Sequence, residues 1–523
     1  MKLGDKNNAL VAMVVVAFAT HPGTARAEDV AAEIHLLKEQ VKQLEPLKER
    51  LKQLEAEVAK EKRERKEARG GVRNAAPPPP HGMVCKDAPC PPPPPPVFVS
   101  FGKNFNNGPL VESWDHDFSF RVGGRLLLDG GVSSQPEKGF GSLASFNQAR
   151  LLMEGKAFRY WDYRLEYDFA GNAPLTSPTG TSTTVAGGIR DAFLALSYFD
   201  PVTFQVGNFY EPVGLERTQS KLYIDFIERA LVTEGLGPSR HIGFAAFTHG
   251  PDWTVKGGIF TTSVEDKAVA PLPGGHQYWE AAGRVTFAPI RSADTLLHLG
   301  GSVRYQRPND ATAVSDDRVL ALGSNIRTEA NVLSENLLGT PSLSCGATVV
   351  GENCAKNVLD YGAEFVGAYG PFSVQGEYIG AHYNRDPALI KFLKAPGGSA
   401  LDFSGYYVYA TWYLTGESRV ASYRDDYRRP GTFGQIEINN PLSAGGTGAW
   451  EVGARFSELN LNDAGIQGGR EQDLTVGLNW YPDIGIRFMA NWIRVMQLAA
   501  PFDRPSLNGA HPNIFVMRTQ VNW

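Results

Sequence analysis

The feature that most restricts what this chain can fold into is a two-residue alternation, repeated in segments of roughly ten residues from about 99 to 523. In WDYRLEYDF, Trp161, Tyr163, Leu165, Tyr167 and Phe169 fall on one face of a strand, and Asp162, Arg164, Glu166 and Asp168 on the other. FSFRVGGRLLLD repeats the pattern, with Phe118, Phe120, Val122, Leu126 and Leu128 opposed to Ser119, Arg121, Arg125 and Asp129. The stretch FVMRTQVNW carries it to Trp523, setting Phe515, Met517 and Val521 against Arg518, Gln520 and Asn522. A soluble sandwich alternates in the same way with its apolar side inward. The period therefore gives strands, but not which face is outside.

The joints separate the two cases. Sixteen strands are expected, from 118–132 through 161–171, 202–213, 295–307, 402–415 and 472–481 to 513–523. Joints after even-numbered strands are short, among them Arg159-Tyr160, Asp200-Pro201, Gly250-Pro251, Gly370-Pro371 and Pro482-Asp483. Those after odd-numbered strands are usually longer, and one even joint, about 416–447, breaks the rule by being long. Short turns at one end and long loops at the other mark an outer-membrane barrel. Sixteen strands enclose a water-filled lumen, and closure satisfies every backbone polar group in lipid. The expected fold class is all-β, a transmembrane β-barrel of 16 antiparallel strands with both ends on the periplasmic side. Beyond the N-terminal region no run of 18 apolar residues offers a membrane helix. Trp161, Trp412, Trp480 and Trp492 suit interfacial girdles.

Residues 1–27 read as a secretory signal peptide: Lys2 and Lys6 precede the apolar run ALVAMVVVAFAT, and Ala25-Arg26-Ala27 is a small-x-small cleavage site. Residues 28–69 read as a periplasmic α-helical coiled coil. Ile34, Leu37, Val41 and Leu44 keep 3-4 spacing, Pro46 breaks the register, and Leu47, Leu51, Leu54 and Val58 continue it. Residues 70–98 read as a semi-rigid linker carrying Pro77–Pro80 and Pro91–Pro96, and residues 99–523 as the barrel. The cysteines form two local pairs, Cys85/Cys90 and Cys345/Cys354. Outside the cytoplasm two disulfides are preferred over metal ligation, since neither pair has a second pair at ligand spacing. Cys85 and Cys90 suit either a local loop or a bridge between chains.

A net charge of -5 argues against nucleic-acid binding. The ten histidines form no HExxH or His-Cys cluster, and no Gly-rich phosphate loop joins a strand to a helix. No metal, cofactor or catalytic step is expected. His298 and Ser302 share a strand face, but nothing local marks Ser302 as a nucleophile. The inward face instead collects arginine: Arg121, Arg125, Arg150, Arg164, Arg284, Arg304, Arg455, Arg487 and Arg518, with Glu154, Glu166, Glu280 and Glu377 among them. Guanidinium forks suit phosphate oxygens; the same charges also suit pairing across strands to brace the wall. The stretch after the fifth strand, 206–232, carries Arg217, Lys221 and Arg229 beside Thr218, Gln219 and Ser220. As the third long loop it resembles the loop that folds inward in sixteen-stranded porins; Leu222, Ile224, Phe226 and Ile227 can pack it against the wall, and its cations and hydroxyls would attract and partly dehydrate an anion.

Five of these stretches, in this order, resemble the phosphate-selective porin O/P family. They are FSFRVGGRLLLDGG, FRYWDYRLEYDF, GNFYEPVGLERTQSKLYIDFIERAL, GYYVYATWYLTGESR and GAWEVGARFSELNLND, spread over about 118–523. The resemblance implies a homotrimeric passive channel in outer-membrane lipid, selective for small anions such as phosphate or polyphosphate. It carries Lys221 and Arg229 onto basic pore-loop positions and sets Arg217 where the family has lysine. Arg121, Arg125, Arg150 and Ser220 complete the candidate ion-binding set. Asn147-Gln148 stand where the family has adjacent arginines, and Asn208 replaces another basic residue. A general-diffusion or weakly selective porin is the alternative, as is a structural or adhesive barrel with a plugged lumen. Trp523 resembles the C-terminal signal read by barrel-assembly machinery.

Overall fold

The structure, a computed structural model, describes residues 97–101, 108–135, 143–170, 187–264, 278–307, 326–333, 336–340, 343, 355–393 and 398–523. The expected signal peptide, the coiled coil, the linker as far as 96, and Cys85, Cys90, Cys345 and Cys354 lie outside them.

Sixteen strands make the body of the protein. The first eight are β1 (Ser119–Ser133), β2 (Leu143–Ala157), β3 (Trp161–Asp168), β4 (Gly188–Phe199), β5 (Val202–Tyr210), β6 (Arg240–His249), β7 (Trp253–Phe260) and β8 (Trp279–Arg291). The rest are β9 (Thr295–Arg307), β10 (Ala355–Tyr369), β11 (Phe372–Arg385), β12 (Ala400–Tyr413), β13 (Ala449–Asp463), β14 (Ile466–Tyr481), β15 (Ile486–Ala499) and β16 (Asn513–Asn522). Each pairs antiparallel with its neighbours, and β16 returns to β1, with Phe515 opposite Val132 and Val521 opposite Leu126. The result is a closed antiparallel barrel of 16 strands. We call the end where β1 begins and β16 finishes the turn end, and the opposite one the loop end.

At the seam, Trp523 and Gly124 exchange backbone hydrogen bonds of 3.0 and 2.9 Å. A Cβ at residue 124 would lie 2.4 Å from the Trp523 ring, so glycine there lets the indole lie across the seam. Beyond that point the edge of β1 is taken by a leading hairpin, Val97–Phe101 with Pro109–Ser113, in which Val111 sits opposite Phe120.

Observed strands fall close to the expected ones, with one clear difference. β14 begins at Ile466 rather than 472, and its joint with β13 is the two-residue turn Ala464-Gly465. Both turn residues have positive φ, 45° and 89°, as the twist of a tight hairpin requires. The stretch escaped notice because Gly468 and Gly469 stand against Leu461 and Leu338 where an apolar alternation would be.

Polarity is reversed relative to a soluble protein. Phe244, Ile259 and Val285 are each more than half exposed on the outside, while Arg284, Arg455, Arg487 and Arg518 are fully buried within. Such an apolar surface belongs against lipid. Trp412 stacks on Phe372 and Trp480 on Trp450 at the turn end, where an interfacial girdle falls. Among the described residues no helix is long and apolar enough to cross a membrane; the strands do so. Two segments fold into the lumen: 211–239 between β5 and β6 from the loop end, and 414–448 between β12 and β13 from the turn end.

Candidate functional site: an arginine-lined constriction

The segment 211–239 is held by apolar packing and by wall arginines. Ile224, Phe226 and Ile227 are buried, as their sequence pattern implies, and Leu222 faces the lumen. The Phe226 ring lies over Gly453 and Gly477, where an added Cβ on either would touch it at 3.3 Å. A one-turn helix, Leu215–Thr218, presents the N–H groups of Leu215 and Glu216 to the Glu377 carboxylate at 2.8 and 2.6 Å. From the wall, Arg487 donates to the Ile224 carbonyl at 2.7 Å, Arg455 to Glu228 O at 3.0 Å, and Arg518 to Ile227 O at 2.5 Å. Arg518 also pairs with Asp129 at 2.6 Å and Glu228 at 2.8 Å.

The cations of the segment itself face inward upon it. Arg229 donates to Glu216 O at 2.9 Å and Gln219 O at 3.1 Å, and reaches Glu234 at 3.4 Å. Arg217 donates to Pro238 O at 2.7 Å and pairs with Glu234 at 3.1 Å. Lys221 pairs with Glu228 at 2.5 Å and donates to Asn147 at 3.3 Å. Asn147 in turn donates to Asp129 at 2.9 Å and Glu228 at 2.7 Å.

The second segment enters from the opposite end. It contains a short 3-10 turn, Val420–Ser422, and a two-residue pairing of Tyr423-Arg424 with Thr432-Phe433. Arg419 lies 3.9 Å over the Phe433 ring and bonds Asp225 at 3.1 Å, so the two inward segments meet. Arg284, paired with Glu364, donates to Pro430 O at 2.5 Å, and Lys256 donates to Tyr427 O at 2.8 Å. His298 bonds Glu364 at 3.0 Å and the Tyr423 hydroxyl at 2.8 Å, while Ser302 accepts from Gly214 N at 3.3 Å. That histidine and serine serve the inward segments, not each other. The unusual length of its joint is the sequence sign that this second segment exists.

Between the two segments and the wall of β1, β2 and β3 lies a cavity of about 140 Å³. Arg121, Arg125, Arg150 and Arg164 line it from the strands, Arg424, Arg428 and Arg429 from the second segment, and Ser220 from the first. Seven arginines line it against three lining carboxylates, Glu154, Glu166 and Asp426, while Asp168 and Asp191 pair from behind the wall with Arg150 at 2.7 Å and Arg164 at 3.0 Å. Strand register builds the wall half: Arg121 opposes Glu154, which opposes Arg164, and Arg125 opposes Arg150, which opposes Asp168. Glu166 accepts from Arg125, from Arg150 at 2.7 Å and from Arg164 at 2.9 Å. Arg150 also bonds Asp168 at 2.7 Å, and Arg125 reaches Ser220 Oγ at 3.2 Å. Among the described residues, Arg429 Nη1 and Arg121 Nε are buried without a hydrogen-bond partner. An unmet charged donor is costly to keep.

Of the candidate ion-binding residues, Arg121, Arg125, Arg150 and Ser220 come together on this cavity, whereas Arg217, Lys221 and Arg229 are engaged within the first segment. Arg424, Arg428 and Arg429 were not among the candidates. Their only signal is the basic cluster YRDDYRRP in a joint with no periodicity.

A closed sixteen-stranded barrel, apolar outside and polar within, narrowed by segments folded into its lumen, is an outer-membrane porin. The sequence model described as phosphate-selective porin O and P matches residues 120–523, and the chain belongs to that family. Porin O of Pseudomonas aeruginosa is 26% identical over 410 residues, 73% of this chain and 84% of that protein. A protein of Caulobacter vibrioides described as uncharacterized is 27% identical over 387 residues, 72% of this chain and 68% of that one. Among solved structures, a loop L8 deletion mutant of OmpT from Vibrio cholerae gives a TM-score of 0.45 at 11% identity, covering 78% of this chain and 100% of that chain. An anion-selective porin from Comamonas acidovorans gives 0.43 at 10% identity, covering 78% and 100%.

Proposed function

We propose that this porin passes small anions by diffusion, phosphate or polyphosphate foremost, through the arginine-lined cavity. The observation that carries the reading is the excess of arginine over carboxylate in the lining of this cavity, with an unpartnered N–H on Arg429. In a narrow passage with low-dielectric walls such an excess attracts and concentrates anions. Arg121, Arg125, Arg150 and Ser220 contact the ion. Arg217, Lys221 and Arg229 act through the shape of the segment they hold. Glu154, Glu166 and Asp426 keep binding weak enough for exit. The turn end faces the periplasm and carries the coiled coil of 28–69 there. The chain works as a homotrimer inserted by barrel-assembly machinery.

In planar bilayers the reversal potential under a KCl gradient is expected to show anion preference, and added phosphate to reduce chloride current. Cation preference overturns the reading. Anion preference without phosphate block returns the second reading, a general-diffusion porin. That reading is favoured by Asn147, an amide bonded to Asp129 and Glu228 where the family carries arginine. Deleting 28–69 is expected to weaken the trimer on native gels; an unaltered trimer makes the helix a spacer.

A further inference from the structure

Outside the arginine cavity, the lumen wall toward the loop end holds Glu211 just after β5, His241 in β6 and Glu280 near the start of β8. One ligand atom from each lies within 4.8 Å of the others. His241 Nδ1 faces both carboxylates: it hydrogen-bonds Glu211 Oε1, and Glu280 Oε1 is 2.9 Å away. An imidazole Nδ1 carries at most one proton, so it serves one carboxylate and leaves the other without a donor. Accordingly Glu280 Oε1 and Glu211 Oε2 have no hydrogen-bond partner among the described residues. Both residues are 0% exposed. Buried carboxylate oxygens in that condition call for a counter-charge.

The surroundings supply orientation and only part of that charge. The Tyr278 hydroxyl and the Gln306 amide donate to Glu280 Oε2 at 2.7 and 3.1 Å, fixing the carboxylate with Oε1 toward His241. Arg304 is committed to Asp360 at 2.7 and 2.6 Å, and reaches Glu211 and Glu280 only at 3.4 and 3.5 Å. With a neutral imidazole, three carboxylates against one guanidinium leave two negative charges, which a divalent cation balances. The His241 side chain is 16% exposed, so the lumen gives access. One imidazole and two carboxylates are a zinc-type donor set, completed by water. The geometry points to a divalent-cation site of zinc type at Glu211, His241 and Glu280, one per chain, at the loop-end side of the lumen. Its cation cancels a local negative charge that repels anions approaching the arginine cavity.

The full chain, stripped with EDTA in detergent, is titrated with Zn²⁺ by calorimetry, and bound zinc is counted by mass spectrometry. One Zn²⁺ per chain is expected in the wild type, with none retained by His241→Ala or Glu280→Gln. Tyr278→Phe, which removes an orienting donor, is expected to weaken binding about tenfold. Co²⁺ in place of Zn²⁺ is expected to give a visible absorption band that His241→Ala lacks. Heat-dependent gel mobility reports whether each variant has folded, and Glu280→Gln stands in where His241→Ala has not. Wild-type protein that binds no Zn²⁺ leaves a protonated His241 between two carboxylates and overturns the proposal. Binding that persists unchanged in both variants overturns it equally.

Discussion

Arg518 gives its N–H groups to Asp129, Glu228 and the Ile227 carbonyl, while Arg429 keeps one N–H with no acceptor among the described residues. Both occupy the lumen, so inward orientation alone does not make an arginine an ion contact. Arg429→Gln is expected to raise the phosphate concentration that halves chloride current about tenfold, a loss of roughly 1.4 kcal/mol. Asp426→Asn, at the same cavity, is expected to lower it by a similar factor; both are read in planar bilayers. Phe226→Ala removes the ring that seats the first inward segment over Gly453 and Gly477. It is expected to weaken docking by about 3 kcal/mol, seen as a lower thermal transition and noisier single-channel current. The inward face of each strand was legible because its period is two. Which carboxylate each arginine meets was not, since partners such as Arg125 and Glu166 come from different strands whose register the sequence leaves open. Glu211, His241 and Glu280 were similarly hidden, being brought together only by three separate elements.

The two inward segments divide the lumen by different means. The first uses an apolar spine, Phe226, Ile227, Leu231 and Val232, against β12, β13 and β14, of which Phe226 and Ile227 could be read as wall-packing. The second is fixed through its carbonyls, by Arg284 at Pro430 and Lys256 at Tyr427, contacts that depend on backbone geometry and leave little trace in residue type. Replacing 420–436 by a short Gly-Ser turn removes Arg424, Arg428 and Arg429 but leaves β12 and β13 paired. Single-channel conductance is expected to rise and anion preference to fall. Unchanged conductance would mean that the first segment alone sets the narrowest point. Gly477→Leu forces the Phe226 ring aside and is expected to cost about 1–3 kcal/mol through overpacking, measured as a lower melting temperature of the folded barrel.

For the whole molecule, strand number, order and closure followed from one regularity: lipid on one side and water on the other impose opposite demands on alternate residues. The short turns fixed which ends adjoin. What fell outside that regularity was the tight, exposed Ala464-Gly465 turn, too short for a loop-end joint, and the second inward segment, which faces the lumen rather than lipid. The placement of charge along the axis has a further consequence. The arginine cavity with Arg121, Arg428 and Arg429 lies toward the turn end, whereas the buried Glu211 and Glu280 lie toward the loop end beside Arg304. A pore whose charged groups are arranged differently at its two mouths rectifies current. With all channels inserted in one direction, current is expected to differ in size when the voltage is reversed. The asymmetry should shrink as salt rises and the Debye length falls toward roughly 3 Å near 1 M.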